Sequence, residues 1–220
     1  MREVLSYSRR GSRFTPQQAE AWAAHHEDWV IPDEAVDGPG FRLVDWFGRQ
    51  APLIVEIGSG VGEATGPLAA ARPAYDVLAL EVWRPGVASS LAQVAAAGVT
   101  NVRFCSVDAV WMLENLVRPD GLAELWTFFP DPWPKTRHHK RRLVNRRFAA
   151  LAGTRLAPGA LWRLATDWVD YADQMVSVLD AEPALTGGVV PRWEDRPVTK
   201  FERKGIEAGR PITDLSYTRV

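Results

Sequence analysis

The sequence has a single cysteine, Cys105, and its four histidines occur only as the adjacent pairs His25/His26 and His138/His139. One cysteine excludes an intrachain disulfide and any zinc or iron–sulfur site built from several cysteines. Neighbouring residues on a helix point in different directions, so neither histidine pair is arranged to converge on one ion. We therefore expect no metal centre, and we expect Cys105, which lies in an apolar stretch, to be buried and inert.

Long apolar runs are also missing. No uninterrupted apolar stretch approaches the roughly 18 to 20 residues that a bilayer span requires, and the opening MREVLSYSRRGSRF lacks the apolar core of a secretion signal. The 220 residues are 46% hydrophobic and 24% charged, as in an ordinary globular protein. These features predict one cytoplasmic domain over residues 1–220, with no membrane partner. The sequence leaves open whether the protein is a monomer or a homodimer.

The net charge of −1 hides one strongly basic stretch, which we call the basic segment: residues 135–147, KTRHHKRRLVNRR. It contains seven Lys and Arg and no acid, so the rest of the chain carries 19 basic and 27 acidic residues. A local positive patch on an acidic body is typical of a protein that binds a polyanion such as a nucleic acid. The alternative is a solvated helical face.

Short apolar stretches alternate with helical composition from residue 51 onward. The predicted strands are residues 52–57, 76–82, 102–108, 124–130 and 160–167. The predicted helices between and after them are residues 62–71, 86–97, 109–117, 140–156 and 168–180. This alternation predicts an α/β fold with a doubly wound, mostly parallel sheet and helices on both faces.

The two ends of the chain are expected to differ from this pattern. Residues 1–15 predict a basic, mobile arm, followed by helices within residues 16–48, namely 16–30 and 39–48. Beyond residue 180 the sequence is rich in Pro, Gly and charge, which predicts loops and a final antiparallel edge pair.

The first predicted strand runs into a glycine turn, Glu56-Ile57-Gly58-Ser59-Gly60-Val61-Gly62. Glycines 58 and 60 would let a ligand approach the backbone closely, although many glycine turns serve packing alone. Glu81 and Asp108 end the next two strands, so three acids meet at the carboxyl edge of the sheet. The set favours S-adenosylmethionine, with its ammonium near Glu56, its ribose near Glu81 and its adenine amine near Asp108.

The fourth predicted strand ends in FFPDPWPK, where three prolines in five positions impose a rigid exit from the sheet. This turn could simply end the strand, with Asp131 as a cap. That alternative does not explain an acid held rigidly beside the crevice, next to Trp133, which could stack on a base, and ahead of the basic segment.

These motifs together resemble one family. FFPDPWPKTRHHKRR looks like the signature of the tRNA (guanine-N7)-methyltransferases, and RRGSRFTPQQ, VEIGSGVG, LEVWRPGV, ATDWVDYADQM and VTKFERKG resemble further blocks of that family in the same order. The resemblance spans residues 9–217. It implies a Rossmann-like, class I methyltransferase sheet, S-adenosyl-L-methionine as cofactor, and methylation of N7 of the variable-loop guanosine of tRNA, position 46.

The resemblance also implies site residues. Cofactor contacts fall on Glu56, Glu81, Asp108 and Asp131, and the catalytic aspartate is Asp131. Substrate contacts fall on Lys135, Asp167, Thr199, Lys200, Phe201 and Glu202. With tRNA as the polyanion, the backbone patch comprises Arg137, Lys140, Arg141, Arg142, Arg146 and Arg147. Pro134 departs from the family, whose members often carry His or Lys at that place.

Two other functions remain open on the residues alone. Asp131-Pro132-Trp133 partly resembles the Asp-Pro-Pro-aromatic motif of enzymes that methylate exocyclic amines of adenine or cytosine, with Trp133 in the place of the second proline. A non-catalytic RNA-binding module is the other reading, and the complete set of acids counts against it. A methyl-transfer assay separates these readings.

Overall fold

One sheet of eight strands runs through the part of the chain that the structure describes, a computed structural model covering residues 6–7, 11–36 and 38–220. The strands are β1 (Val30–Ile31), β2 (Leu53–Ile57), β3 (Asp76–Leu80), β4 (Val102–Cys105), β5 (Leu122–Phe128), β6 (Leu156–Thr166), β7 (Leu185–Val190) and β8 (Thr213–Arg219). Their spatial order in the sheet is β1-β4-β3-β2-β5-β6-β8-β7. Strands β1 to β6 pair in parallel, and β8 lies antiparallel between β6 and β7. The predicted doubly wound fold with an antiparallel C-terminal edge is confirmed.

Helices cover both faces of the sheet, because its central strands are apolar on both sides. Val55 and Leu78 belong to a hydrophobic cluster on one face, whereas their neighbours Ile54 and Val77 belong to a second cluster on the other. The helices are α1 (Pro16–Trp29), α2 (Asp33–Val36), α3 (Leu43–Phe47), α4 (Thr65–Ala70), α5 (Arg84–Ala96), α6 (Ala109–Asn115), α7 (Arg146–Arg155), α8 (Val169–Asp180) and α9 (Lys200–Glu207).

Local capping sets where several helices begin. The Thr15 side chain accepts from the backbone of Gln18 in a capping box that starts α1. The helix predicted from residue 140 begins only at Arg146, because Asn145 caps it and residues Thr136–Arg141 form a separate 3₁₀ turn. The basic segment is therefore one tight turn followed by the start of a helix.

The chain ends contain elements that the sequence pattern did not predict. β1 and α2 are very short, and α9 is polar, with only Glu202 and Gly205 buried. The mobile arm predicted for residues 1–15 includes residues 1–5 and 8–10, which lie outside the described residues, so that prediction stays open, as does the single-domain assignment.

Within residues 6–7, 11–36 and 38–220, no group of three or more His, Cys, Asp or Glu side chains is placed to hold a metal ion. In the same ranges no helix is both long and apolar enough to cross a membrane. The Cys105 thiol is buried in β4, and burial raises its pKa to about 12. It is therefore not a nucleophile at neutral pH.

Candidate active site

The sheet topology opens a crevice at the carboxyl ends of β2 and β5. The strand order reverses between these two neighbours, so the loops that follow them diverge and leave room for a ligand. The crevice has a volume of about 630 Å³, which is within the range of small-molecule sites. The predicted site residues that line it are Glu56, Gly58, Gly60, Glu81, Asp108, Asp131, Asp167, Thr199, Lys200 and Phe201.

The glycine turn after β2 forms an open backbone cradle. Gly58 and Gly60 have positive φ angles of 77° and 61°, and a Cβ at either position would project into empty space. The Gly58 amide donates to the Leu80 carbonyl at 2.8 Å, which ties the cradle to the end of β3. Ser59 Oγ is buried and has no hydrogen-bond partner among the described residues. An accessible backbone beside an unsatisfied hydroxyl fits a polar ligand such as an aminoacyl nucleoside.

Glu56 lies beneath this cradle and is only 2% exposed. Its Oε2 accepts a hydrogen bond from Thr65 Oγ1 at 2.6 Å. Burial raises the pKa of Glu56 to about 7; the bond from Thr65 opposes the shift, and the charge of Glu81 adds to it. A cationic group placed here would favour the ionised carboxylate, which is what binding of an ammonium requires.

Glu81 and Asp108 brace the backbone around the crevice. Glu81 Oε2 accepts from the Gly60 amide and its Oε1 from the Trp83 amide, both at 2.8 Å. A carboxylate has about four acceptor sites, so these bonds are compatible with additional bonds from ligand hydroxyls. Asp108 caps α6 through Oδ1, which accepts from the amides of Val110 and Trp111, and Oδ2 takes no part in the cap.

Asp131 lies in the loop after β5, which we call the 129–133 loop. Two residues of this loop, Phe129 and Trp133, have positive φ angles of 52° and 46°, although neither is a glycine. Such a conformation is costly for aromatic residues and persists only where the surroundings hold it. One side of Asp131 lines the crevice, and the other lines a second cleft of about 300 Å³ together with Lys135 and His138.

The basic segment is mostly accessible, with one exception. The exposed cations are Lys135, Arg137, Lys140, Arg141, Arg146 and Arg147. Arg141 lies over the Trp133 ring, 4.7 Å from its centroid. Arg142 is only 1% exposed and is bound inside the protein. Its predicted place in the tRNA backbone patch is not supported by this burial, because the guanidinium does not lie on the protein surface.

The residues predicted to contact substrate near the C-terminus divide into two groups. Thr199 caps α9, and the Lys200 amide donates to Glu63 Oε2 at 2.6 Å across the mouth of the crevice. Phe201 is 49% exposed and packs on Phe129, with ring centroids 5.4 Å apart. Glu202 belongs to the same helix but is buried and does not line the crevice.

Glu202 is fully buried in an ion-pair cluster. Its Oε2 accepts from Arg196 at 2.7 Å, and its Oε1 accepts from Arg192 at 3.1 Å. Arg196 also bonds Asp214 of β8 at 2.9 Å. The predicted substrate contact at Glu202 is not supported by this arrangement, because both carboxylate oxygens bond arginines and fix α9 on the sheet.

Asp167 does line the crevice, but it is already paired: Arg210 Nε donates to its Oδ2 at 2.7 Å. Sequence reasoning missed Arg210, Glu63 and Phe129, all of which line the crevice. No spacing or motif in the sequence singles out Arg210 or Glu63. The position of Phe129 at the crevice could not be predicted, because it depends on a positive φ angle that the sequence does not indicate.

Comparison with known proteins finds methyltransferases. A family model described as a putative methyltransferase matches residues 50–215. The chain is 71% identical over 219 residues to a Nocardioides protein named tRNA (guanine-N(7)-)-methyltransferase, covering 100% of this chain and 88% of that protein. It is 47% identical to the Cutibacterium acnes protein of the same name, covering 100% and 84%.

The fold also matches solved structures. The crystal structure of the 16S rRNA methyltransferase KamB superposes with a TM-score of 0.55 at 17% identity, covering 100% of this chain and 99% of that one. At this identity the likeness concerns the fold alone, a class I methyltransferase sheet. The family model and the two relatives, which align over the whole of this chain, show that the chain belongs to the tRNA (guanine-N7)-methyltransferase family.

Proposed function

We propose that this protein transfers a methyl group from S-adenosyl-L-methionine to N7 of a guanosine in tRNA, at position 46 of the variable loop. The observation that carries the proposal is the position of Asp131, in a wall shared by the glycine-cradle crevice and the second cleft beside the exposed cations. An acid in that wall faces both a cofactor and a polyanionic substrate. The names of the two relatives support guanine N7 in tRNA as the target.

The crevice residues match the parts of the cofactor. When bound, S-adenosylmethionine supplies a methyl group on a positively charged sulfur. Glu56 would pair with the ammonium, Glu81 would accept from the ribose hydroxyls, and Asp108 would accept from the adenine amine. Gly58 and Gly60 leave the space in which the ligand contacts backbone.

Methylation at N7 places few demands on acid–base groups. Guanine N7 has a lone pair and no proton, so no general base must act before attack. Holding nucleophile and methyl in line can supply about 7 to 11 kcal/mol of the barrier. As the bond from N7 to the methyl carbon forms, the methyl–sulfur bond breaks and leaves a neutral thioether, so the positive charge passes to the guanine ring. The Asp131 carboxylate would stabilise that charge in a site prepared before the reaction.

The rim of the crevice would receive the nucleotide. Phe129 and Phe201 offer adjacent aromatic surfaces on which a base can stack, and Trp133 offers another. Lys135 and Lys200, which line the two clefts, would contact phosphates, and the exposed arginines of the basic segment would contact the tRNA backbone outside the crevice. A tRNA substrate supports the proposal that the enzyme acts in the cytoplasm.

The test is direct identification of the product. The protein is incubated with methyl-labelled S-adenosylmethionine and unmodified tRNA, the RNA is digested, and 7-methylguanosine is the expected labelled nucleoside. Labelled 6-methyladenosine or 4-methylcytidine would favour an exocyclic-amine enzyme. tRNA binding without any labelled nucleoside would favour the binding module.

Asp131→Asn should lower the single-turnover rate at saturating tRNA by about a hundredfold, because its charge matters most in the transition state. The affinity for tRNA should change little. Asp195→Asn is the matched control, since Asp195 is a largely exposed acid that pairs with Arg72 and does not line the crevice. An unchanged rate in Asp131→Asn would remove Asp131 from the mechanism while leaving the product assay to decide the reaction.

A further inference from the structure

Arg142 stands apart from every other cation of the basic segment. Its immediate neighbour Arg141 is exposed, whereas the Arg142 side chain is 1% exposed. Burying a guanidinium is costly unless its donors are satisfied, so its contacts indicate what the side chain does.

The donors of Arg142 reach two different elements. Nε donates to the Pro132 carbonyl of the 129–133 loop at 2.8 Å. One terminal nitrogen donates to Gln174 Oε1 at 2.8 Å and the other to the Asp170 carboxylate. The guanidinium also lies over the Tyr171 ring, 4.9 Å from its centroid. Arg142 therefore connects the 129–133 loop to one face of α8.

Arg142 holds the 129–133 loop at Pro132, the residue next to Asp131. Pro132 lies between Asp131 and Trp133, and the loop contains two residues with positive φ angles. The Phe129 end is fixed by its amide, which donates to the Ala165 carbonyl at 2.8 Å. Proline has no amide hydrogen, so the carbonyl is the only backbone group through which Pro132 can be held by a hydrogen bond.

We propose that Arg142 is a positioning residue that fixes the Pro132 carbonyl against α8 and thereby holds Asp131 and Trp133 in place for methyl transfer. This inference rests on the proposed function, because it gives meaning to the placement of Asp131. It assigns Arg142 an internal role in place of a tRNA contact.

Two substitutions of Arg142 test the role. Arg142→Met keeps much of the aliphatic length but removes every donor, and Arg142→Lys keeps one ammonium that cannot span all three acceptors. At saturating tRNA and cofactor, the single-turnover rate should fall at least tenfold in Arg142→Met and be partly restored in Arg142→Lys. Cofactor affinity, measured by calorimetry, should stay within about twofold of the wild type.

The salt dependence of tRNA binding separates positioning from phosphate contact. Loss of one phosphate contact lowers the slope of log affinity against log salt by about 0.7 to 0.9. The slope of Arg142→Met should equal that of the wild type. A lower slope with an unchanged saturating rate would overturn the proposal and return Arg142 to the tRNA patch.

A matched control separates positioning from general stability. Arg155 makes the same kind of bond in a remote place: its Nε donates to the Leu113 carbonyl at 2.6 Å, linking α7 to α6. Arg155→Met should lower the melting temperature and leave the saturating rate unchanged. If Arg142→Met also loses stability without losing rate, the role of Arg142 is merely structural.

A milder variant covers the case in which Arg142→Met does not fold. Asp170 is 61% exposed, so Asp170→Asn removes the charge that orients Arg142 without opening the core. It should lower the saturating rate by about twofold to fivefold, and unchanged rates in both Asp170→Asn and Arg142→Lys would overturn the proposal. Asp131→Asn is assayed in parallel; if it keeps the wild-type rate, the proposed function of Asp131 has failed, whatever Arg142 does.

Discussion

Replacing Glu56 by Gln should stabilise the ligand-free protein while weakening its binding of cofactor. The substitution keeps the size of the side chain and leaves a carbonyl oxygen that can accept from Thr65 Oγ1. It removes a carboxyl whose pKa is raised from 4.5 to about 7, chiefly by burial. The expected gain in stability therefore depends on pH.

The magnitude follows from the two pKa values. Below pH 4.5 both folded and unfolded states hold the proton, so the carboxyl imposes no ionisation penalty. Between pH 4.5 and about 7 the unfolded state loses its proton first, and the wild-type stability falls as pH rises. Above pH 7 the penalty is complete. The rise of the Glu56 pKa from 4.5 to about 7 corresponds to about 3 kcal/mol of lost stability at pH 8.

The assay is chemical denaturation of the ligand-free wild type and Glu56→Gln at several pH values from 5 to 8.5. The difference in unfolding free energy should grow with pH up to about 7 and then level off. Glu207→Gln serves as the control, because Glu207 is exposed. In calorimetry, Glu56→Gln should bind cofactor more weakly than the wild type does, since Gln cannot form an ion pair with an ammonium.

A stability difference that does not vary with pH would refute the raised pKa. A Glu56→Gln protein that binds cofactor as tightly as the wild type at pH 8 would refute the assignment of the ammonium to this carboxyl. The two results are independent, so the electrostatic argument and the binding argument can fail separately.

Three other substitutions have defined outcomes. Gly60→Ala should reduce cofactor affinity in calorimetry and cost about 1 kcal/mol of stability, because its Cβ enters the crevice from a positive φ; full affinity would show that the crevice is not the cofactor site. Arg141→Ala should lower the salt slope of tRNA binding by about 0.7 to 0.9 and leave cofactor affinity intact; a constant slope means that this cation touches no phosphate. Glu202→Ala should cost about 3 to 5 kcal/mol in denaturation, because Arg196 and Arg192 lose their carboxylate; a loss below 1 kcal/mol would contradict the buried cluster.

The parts of the fold that the sequence predicted are those set by local patterns. The five predicted strands are stretches rich in apolar residues, because helices cover both faces of the central sheet. Because parallel strands place their carboxyl ends on one edge, the order Glu56, Glu81, Asp108 and Asp131 along the chain was enough to predict that these acids surround one crevice. The structure places all four there.

The parts that could not be predicted depend on contacts between distant residues. Arg141 and Arg142 are chemically identical neighbours, and their opposite exposure follows from α8, which supplies the partners of Arg142 from more than 25 residues away. Glu202 lies within a motif associated with substrate, yet its partners Arg192 and Arg196 turn it inward. In both cases the tertiary partner, not the residue type, decides the role.

The site also explains why cofactor and fold should be energetically coupled. Glu56 is desolvated and is opposed by the nearby charge of Glu81, so the ligand-free crevice carries unfavourable electrostatics. A cationic ligand offsets this energy, and binding to the folded state alone stabilises the protein by mass action. The buried carboxyl that costs the ligand-free protein stability above pH 7 is therefore the same group that favours a positively charged cofactor over a neutral nucleoside.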